Sequence, residues 1–357
     1  MIQKRFINRL STTTLFLVLA LMVRLMAACA SAQDTSESDT DNAATAGVLC
    51  DLSNSGYNPD ESVSLDYNYT WSCTEDERLL STNGVPDHEI GTFPNEGNRN
   101  NISAQDISAS FTLTPLATDT STEMGGPRGT IAFALNGIKF DPGTGGTCDD
   151  SGDNCSLGGN VGQWRIEALG QDNFNFGEDF NNAHVQPGGS YHYHGMPESL
   201  LSELGNGEAM TLVGWAADGF PVYARYGYSE AMDASSDIKV ITGSYQLKDT
   251  PDENRPATDL YEMGSFTQDY TYVEGSGDLD ECNGRFGVTP EFPEGIYHYY
   301  VTDSYPFMTR CVKGEVTVNQ GPGGGQGGQG ETSFDVEAAA ATLGVPVEAL
   351  KSALGQQ

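Results

Sequence analysis

Five histidines occur in the 357-residue chain: His88, His184, His192, His194 and His298. Two of them sit one residue apart in GGSYHYHG, Gly188 to Gly195, each beside a tyrosine. Side chains alternate across a strand, so His192 and His194 would share one face while Tyr191 and Tyr193 share the other. Imidazole is the commonest metal ligand and a borderline-soft one, suited to zinc or copper. A His-x-His strand pair joined by a third histidine from a neighbouring strand or loop is a donor set for such an ion. His184 is the first choice for the third donor, because Pro187-Gly188-Gly189 lets the chain turn back, and His298 is the second. The same pair also fits hydrogen-bonded histidines on an ordinary strand beside packing tyrosines. His88 taken alone reads as structural.

Other chemistries find less support. No GxSxG occurs, and Ser190 before Tyr191 reads as a turn residue rather than a nucleophile. Asp218, in AADGFPVY, is placed either to orient a histidine as an outer carboxylate or simply to make an Asp-Gly hairpin turn. Two acidic loops, DPGTGGTCDDSGDN (141–154) and GSGDLDECNG (275–284), offer oxygen ligands for calcium, with Asp278, Asp280 and Glu281 among them. Neither has EF-hand spacing, and in a chain this acidic solvated turns held by a disulfide are the preferred account.

The elements that would position these residues lie in one block. Residues 1–28 form an export leader: Lys4, Arg5 and Arg9 precede the apolar run Leu15 to Val23, which is too short to span a membrane. Leu25-Met26-Ala27-Ala28 before Cys29 resembles a bacterial lipobox, which would acylate Cys29 and attach the protein to a membrane; cleavage after Ala30-Ser31-Ala32 is the other exit. Residues 29–47 read as a disordered acidic tether. Residues 48–319 carry short aromatic and β-branched runs, such as SLDYNYTWSC, TIAFALNGIKF and GIYHYYVTDSYPF, separated by Gly, Asn, Asp and Pro. That texture predicts a mainly β domain, sandwich-like with long loops, and one short helix over Pro197 to Gly205. A glycine-rich linker (320–331) and a two-helix tail (332–357) follow.

Cysteine parity agrees with export. Setting Cys29 aside leaves six, and closeness in sequence favours Cys50 with Cys73, Cys148 with Cys155, and Cys282 with Cys311, out of fifteen pairings. Such bridges point to an oxidising compartment, as in a periplasmic or outer-membrane lipoprotein or a secreted protein. Formal net charge is −33, and without the leader 13 basic residues face 50 acidic ones. A nucleic-acid partner is thereby excluded.

GGSYHYHGMPESL (188–200) is echoed by EGIYHYYVTDSYP (294–306), so that His298 would hold the place of His192. With these repeats and NGVPDHEIGTFPN (83–95), NNAHVQPGGSYHYHG (181–195), GWAADGFPVYARYGY (214–228) and DLDECNGRFGVTPEFPEGIYHYYVT (278–302), the chain resembles the YHYH-domain proteins. The resemblance covers most of residues 50–316 and implies an exported protein, without naming a reaction. Members often repeat the full tetrapeptide, whereas here Tyr300 stands where a second YHYH would end. Two functions are compatible with this sequence. The first is a zinc or copper site built from His184, His192, His194 and His298, for binding or for metal-assisted hydration or hydrolysis. The second is a non-catalytic surface or adhesion module in which Tyr191, Tyr193, Trp215, Tyr223 and Tyr226 stack on sugars or proteins.

Overall fold

The structure, a computed structural model, describes residues 45, 47–124 and 130–316. The leader, the acylation candidate Cys29, nearly all of the tether, the glycine linker and the helical tail lie outside the described residues.

Alternation in the sequence builds the first sheet. In β2 (Leu65–Cys73) the side chains of Tyr69 and Trp71 are buried while Asp66, Asn68 and Thr70 between them are exposed. Ile107, Ala109 and Phe111 do the same on β4 (Ile107–Thr112). With β1 (Leu52–Asn58) and β3 (Glu77–Thr82) these strands form an antiparallel meander in the order β1-β2-β3-β4. One face of this sheet is wet, as the period-2 pattern requires.

The second sheet reads differently. Thr211 to Ala216 and Ile296 to Val301 are buried at every position, the signature of strands covered on both faces. Eight strands take part: β6 (Ala132–Ala134), β7 (Lys139–Phe140), β11 (Ala183–Val185), β12 (Tyr191–Tyr193), β13 (Thr211–Ala216), β14 (Pro221–Ala224), β19 (Gly284–Gly287) and β20 (Ile296–Val301). Their order across the sheet is β11-β12-β7-β6-β13-β14-β20-β19, with parallel pairs at β12-β7 and β14-β20 and antiparallel pairs elsewhere.

The sheets meet through aromatic rings. Trp71 lies 5.7 Å from Phe111, Phe111 lies 6.2 Å from Phe133 of the second sheet, and the Trp71 indole donates to the Leu135 carbonyl at 2.8 Å. That contact gives the β-rich, sandwich-like architecture expected from sequence. Smaller pairings complete it: β5 (Ala117–Glu123) with β21 (Cys311–Gly314), β15 (Tyr226–Tyr228) with β16 (Ile238–Val240), β17 (Tyr245–Leu247) with β18 (Tyr270–Tyr272), and β8 (Thr147–Cys148) between β9 (Cys155–Ser156) and β10 (Trp164–Arg165). Among the described residues the one α-helix is α1 (Glu198–Leu204), ended by Gly205 in the left-handed conformation at φ 67°.

All three short-range disulfides form, Cys50–Cys73, Cys148–Cys155 and Cys282–Cys311. The first joins the segment before β1 to the end of β2. The third ties the turn before β19 to β21, with Cys282 fully buried.

Candidate metal centre

Three histidines converge at one edge of the eight-stranded sheet. His184 and His192 stand directly opposite each other on the antiparallel pair β11 and β12, and His194 follows β12 on the face that His192 occupies. The hairpin that aligns them closes over Gln186 to Ser190, where the Gln186 N–H donates to the Ser190 carbonyl at 2.9 Å. Gly188 and Gly189 take φ of 101° and 88° in this turn, and a Cβ on Gly189 would come within 2.0 Å of Ser103 Oγ. Only glycine fits there.

The three rings form a near-equilateral cluster, with centroids 4.7, 4.6 and 4.7 Å apart. One ligand nitrogen from each comes within 4.8 Å of the others, the one such group of three among the described residues. Each Nδ1 is directed to a main-chain carbonyl: His184 to Phe176 at 2.9 Å, His192 to Ser190 at 3.4 Å and His194 to Pro142 at 3.4 Å. A ring that donates from Nδ1 carries its lone pair on Nε2. His184 Nε2 and His194 Nε2 then face each other at 3.1 Å with a lone pair on each, an arrangement that a shared cation relieves. Two nitrogens bound tetrahedrally at about 2.0–2.1 Å would stand about 3.3–3.4 Å apart, close to that separation. The three nitrogens could therefore hold a metal ion.

Burial keeps these rings neutral. His192 and His194 are each only 2 % exposed, and both are held well below the ordinary histidine range, first by burial and then by the neighbouring His184. His184, partly open to solvent, is pushed down to about 4, again chiefly by burial, with Lys139 adding to it and the Phe176 carbonyl opposing it. Neutral imidazole is the ligating form.

Tyrosine alternation holds as well. Tyr191 and Tyr193 are buried on the opposite face, where Tyr193 packs 5.3 Å from Phe140 and Tyr191 6.1 Å from Phe93. Their hydroxyls are engaged: Tyr191 donates to Asp179 at 2.8 Å, and Tyr193 meets Asn136 at 3.0 Å and His88 Nε2 at 2.5 Å. His88 is thus a structural partner of a core tyrosine.

Three expectations need correction. His298 does not join the cluster, because β20 lies five strands from β12, roughly 24 Å at about 4.8 Å per strand. It is buried against Tyr223 and Tyr300 instead. Asp218 orients no histidine: its carboxylate accepts from the Tyr299 hydroxyl at 2.6 Å and the Gly314 N–H at 2.9 Å, while Asp218-Gly219 makes the β13–β14 turn. As a stacking surface, Tyr191, Tyr193, Trp215 and Tyr223 fail, since each is at most 1 % exposed; of that set only Tyr226 is partly open. The acidic loops have internal partners: Asp149 caps Ser151 and Gly152, Asp278 binds Lys239 and Thr242, Asp280 accepts from Tyr297, and Glu281 pairs with Lys313.

The residues that orient the cluster escaped sequence reasoning. Phe176 belongs to a small separate core with Cys148, Trp164, Ile166 and Phe266, so the carbonyl that holds His184 is itself fixed by packing. Lys139 is buried opposite His192 on the parallel pair β7 and β12, with its ammonium 2.6 Å from Gln186 Oε1 and 3.5 Å from Asp141. A lysine inside the apolar run TIAFALNGIKF was the one visible signal.

His298 supplies a pH test. Burial pushes it down to about 3, with Arg285 adding to the shift and the Ile296 carbonyl opposing it. Its stabilising contribution is complete above about pH 6.5, the unfolded value, and falls as pH drops toward 3, because only the unfolded chain takes the proton. The difference in unfolding free energy between wild type and His298→Gln is expected to narrow by about 1.4 kcal/mol per pH unit between pH 6 and 4. Denaturant titrations at several pH values measure this, and a pH-independent difference contradicts it.

A family model described as YHYH protein matches residues 108–314, from within β4 to the end of β21. No curated protein and no solved structure matches the sequence.

Proposed function

We propose that this chain, which belongs to the YHYH protein family, binds one zinc or copper ion through Nε2 of His184, His192 and His194. The observation that carries this reading is the convergence of three imidazoles, those of His192 and His194 buried, whose Nδ1 atoms are each directed to a carbonyl. Histidines present only for packing have no reason to bring one ligand nitrogen each within 4.8 Å of one another. Such an ion would act as a Lewis acid and, with three protein ligands, keep a position for water or another small ligand. His192 and His194 fix it from one strand, the hairpin brings His184 across, and burial excludes competing solvent.

The same reading has the protein exported through the leader over residues 1–28, either anchored through Cys29 or released by cleavage after Ala32. Three disulfides support export. Metal analysis of protein purified without chelators is the test, followed by cobalt(II) substitution. One equivalent of zinc or copper per chain is expected, and cobalt(II) should give the intense visible absorption of a four-coordinate site. Protein that neither retains an ion nor takes up cobalt(II) would refute the site.

A further inference from the structure

The eight-stranded sheet consists of two halves with the same topology. Outward from the centre, one half runs β6, β7, β12, β11 and the other β13, β14, β20, β19; in each, the successive pairings are antiparallel, parallel, antiparallel. The halves meet at the antiparallel pair β6 and β13, where Leu135 N–H donates to Val213 O and Ala217 N–H to Ile131 O, both at 2.8 Å. Ala134-Leu135-Asn136-Gly137 and Ala216-Ala217-Asp218-Gly219 make matching turns, with glycine φ of 78° and 88°. Asn136 holds the Tyr193 hydroxyl as Asp218 holds that of Tyr299.

The outer strands agree to the residue. Tyr191 donates to Asp179 and Tyr297 to Asp280. Asn182 and Asn283 take left-handed φ of 52° and 55°, and their carbonyls accept from His194 N–H and Tyr300 N–H at 2.7 and 2.9 Å. His184 faces His192 across one pair as Arg285 faces His298 across the other. Residues 184, 192 and 194 therefore correspond to residues 285, 298 and 300.

We infer that Arg285, His298 and Tyr300 form the counterpart of the three-histidine centre, a latent metal site in which a guanidinium supplies the positive charge that an ion supplies in the first half. Arg285 Nη2 lies 3.3 Å from the Tyr300 hydroxyl, as His184 Nε2 lies 3.1 Å from His194 Nε2. His298 Nε2 approaches that hydroxyl at 3.3 Å, with its Nδ1 on the carbonyl two residues earlier, as in His192. The Arg285 Nε is buried without a hydrogen-bond partner, so the guanidinium is incompletely satisfied where it stands. The inference rests on the metal reading of the first half for its chemistry, while the correspondence of the halves stands on geometry alone.

Two histidines should complete the latent site. In a His192→Ala background, which removes the first centre from the count, the full chain carrying Arg285→His and Tyr300→His is expected to bind one added equivalent of zinc or cobalt(II), where His192→Ala alone binds none. With His192 intact the count should double from one to two. A wild-type chain that binds nothing defeats the first centre without touching this count. If the added histidines unfold the chain, the reverse exchange, His184→Arg with His194→Tyr, reads the same correspondence: it should fold, with a near-ultraviolet circular dichroism spectrum like that of wild type, and bind no metal. Folded Arg285→His/Tyr300→His protein without the added equivalent, or a reverse exchange that does not fold, would overturn the inference.

Discussion

Replacing His192 or His194 by alanine is expected to remove stoichiometric zinc or copper while leaving the fold intact. Both side chains stand on β12 or immediately after it, and each supplies one of only three converging nitrogens. Two imidazoles cannot hold a buried ion as three do, and the alanine methyl offers no substitute. The fold survives because neither ring makes a strong hydrogen bond to anything outside the cluster; the Nδ1 contacts of both are 3.4 Å long. Truncating His184 should lower affinity too, and it additionally frees the Phe176 carbonyl, so a small loss of thermal stability is expected beside the loss of metal. Metal content by elemental analysis and far-ultraviolet circular dichroism separate the two effects. Equal metal content in wild type and in the His192→Ala/His194→Ala variant would return these histidines to a packing role.

The tyrosines between them are expected to behave in the opposite way. Tyr193→Ala should cost roughly 3–5 kcal/mol of stability, the range for large buried aromatic truncations. Tyr193 is fully buried, packs against Phe140 and joins His88 and Asn136 through its hydroxyl, so alanine leaves both a cavity and unpaired polar atoms. Tyr191→Ala falls in the same range, since it strands the buried side of Asp179 and empties the space beside Phe93. Tyr193→Phe isolates the hydrogen bonds, with an expected loss of about 1–2 kcal/mol. Urea unfolding midpoints measure all three, and a Tyr193→Ala variant within about 1 kcal/mol of wild type would show that the ring does not support the strand.

Some of this could be read from the chain because it depends on local covalent geometry. Strand alternation alone puts His192 with His194 and Tyr191 with Tyr193, and Pro187-Gly188-Gly189 alone marks the turn that returns His184 to them. The disulfides follow from proximity in sequence, 23, 7 and 29 residues apart, since short loops cost least entropy to close. The strand over Ile296 to Val301, as an aromatic and β-branched run, and the helix ended by Gly205 were likewise visible as composition and spacing.

Strand order was not. The echo between Tyr191-His192-Tyr193 and Tyr297-His298-Tyr299 shows that two strands are alike, yet nothing in it tells whether they lie side by side or in opposite halves of a sheet. The parallel pairings of β12 with β7 and β14 with β20 decide that, and they place His298 five strands from β12 and six from β11, away from the three-histidine cluster. The carbonyls of Phe176 and Pro142 are equally silent in sequence, because any residue has one and only the path of a long loop aims it at an imidazole. Local periodicity fixes which face a side chain takes; which nitrogen carries the lone pair, and what it points at, depend on backbone brought together from distant parts of the chain.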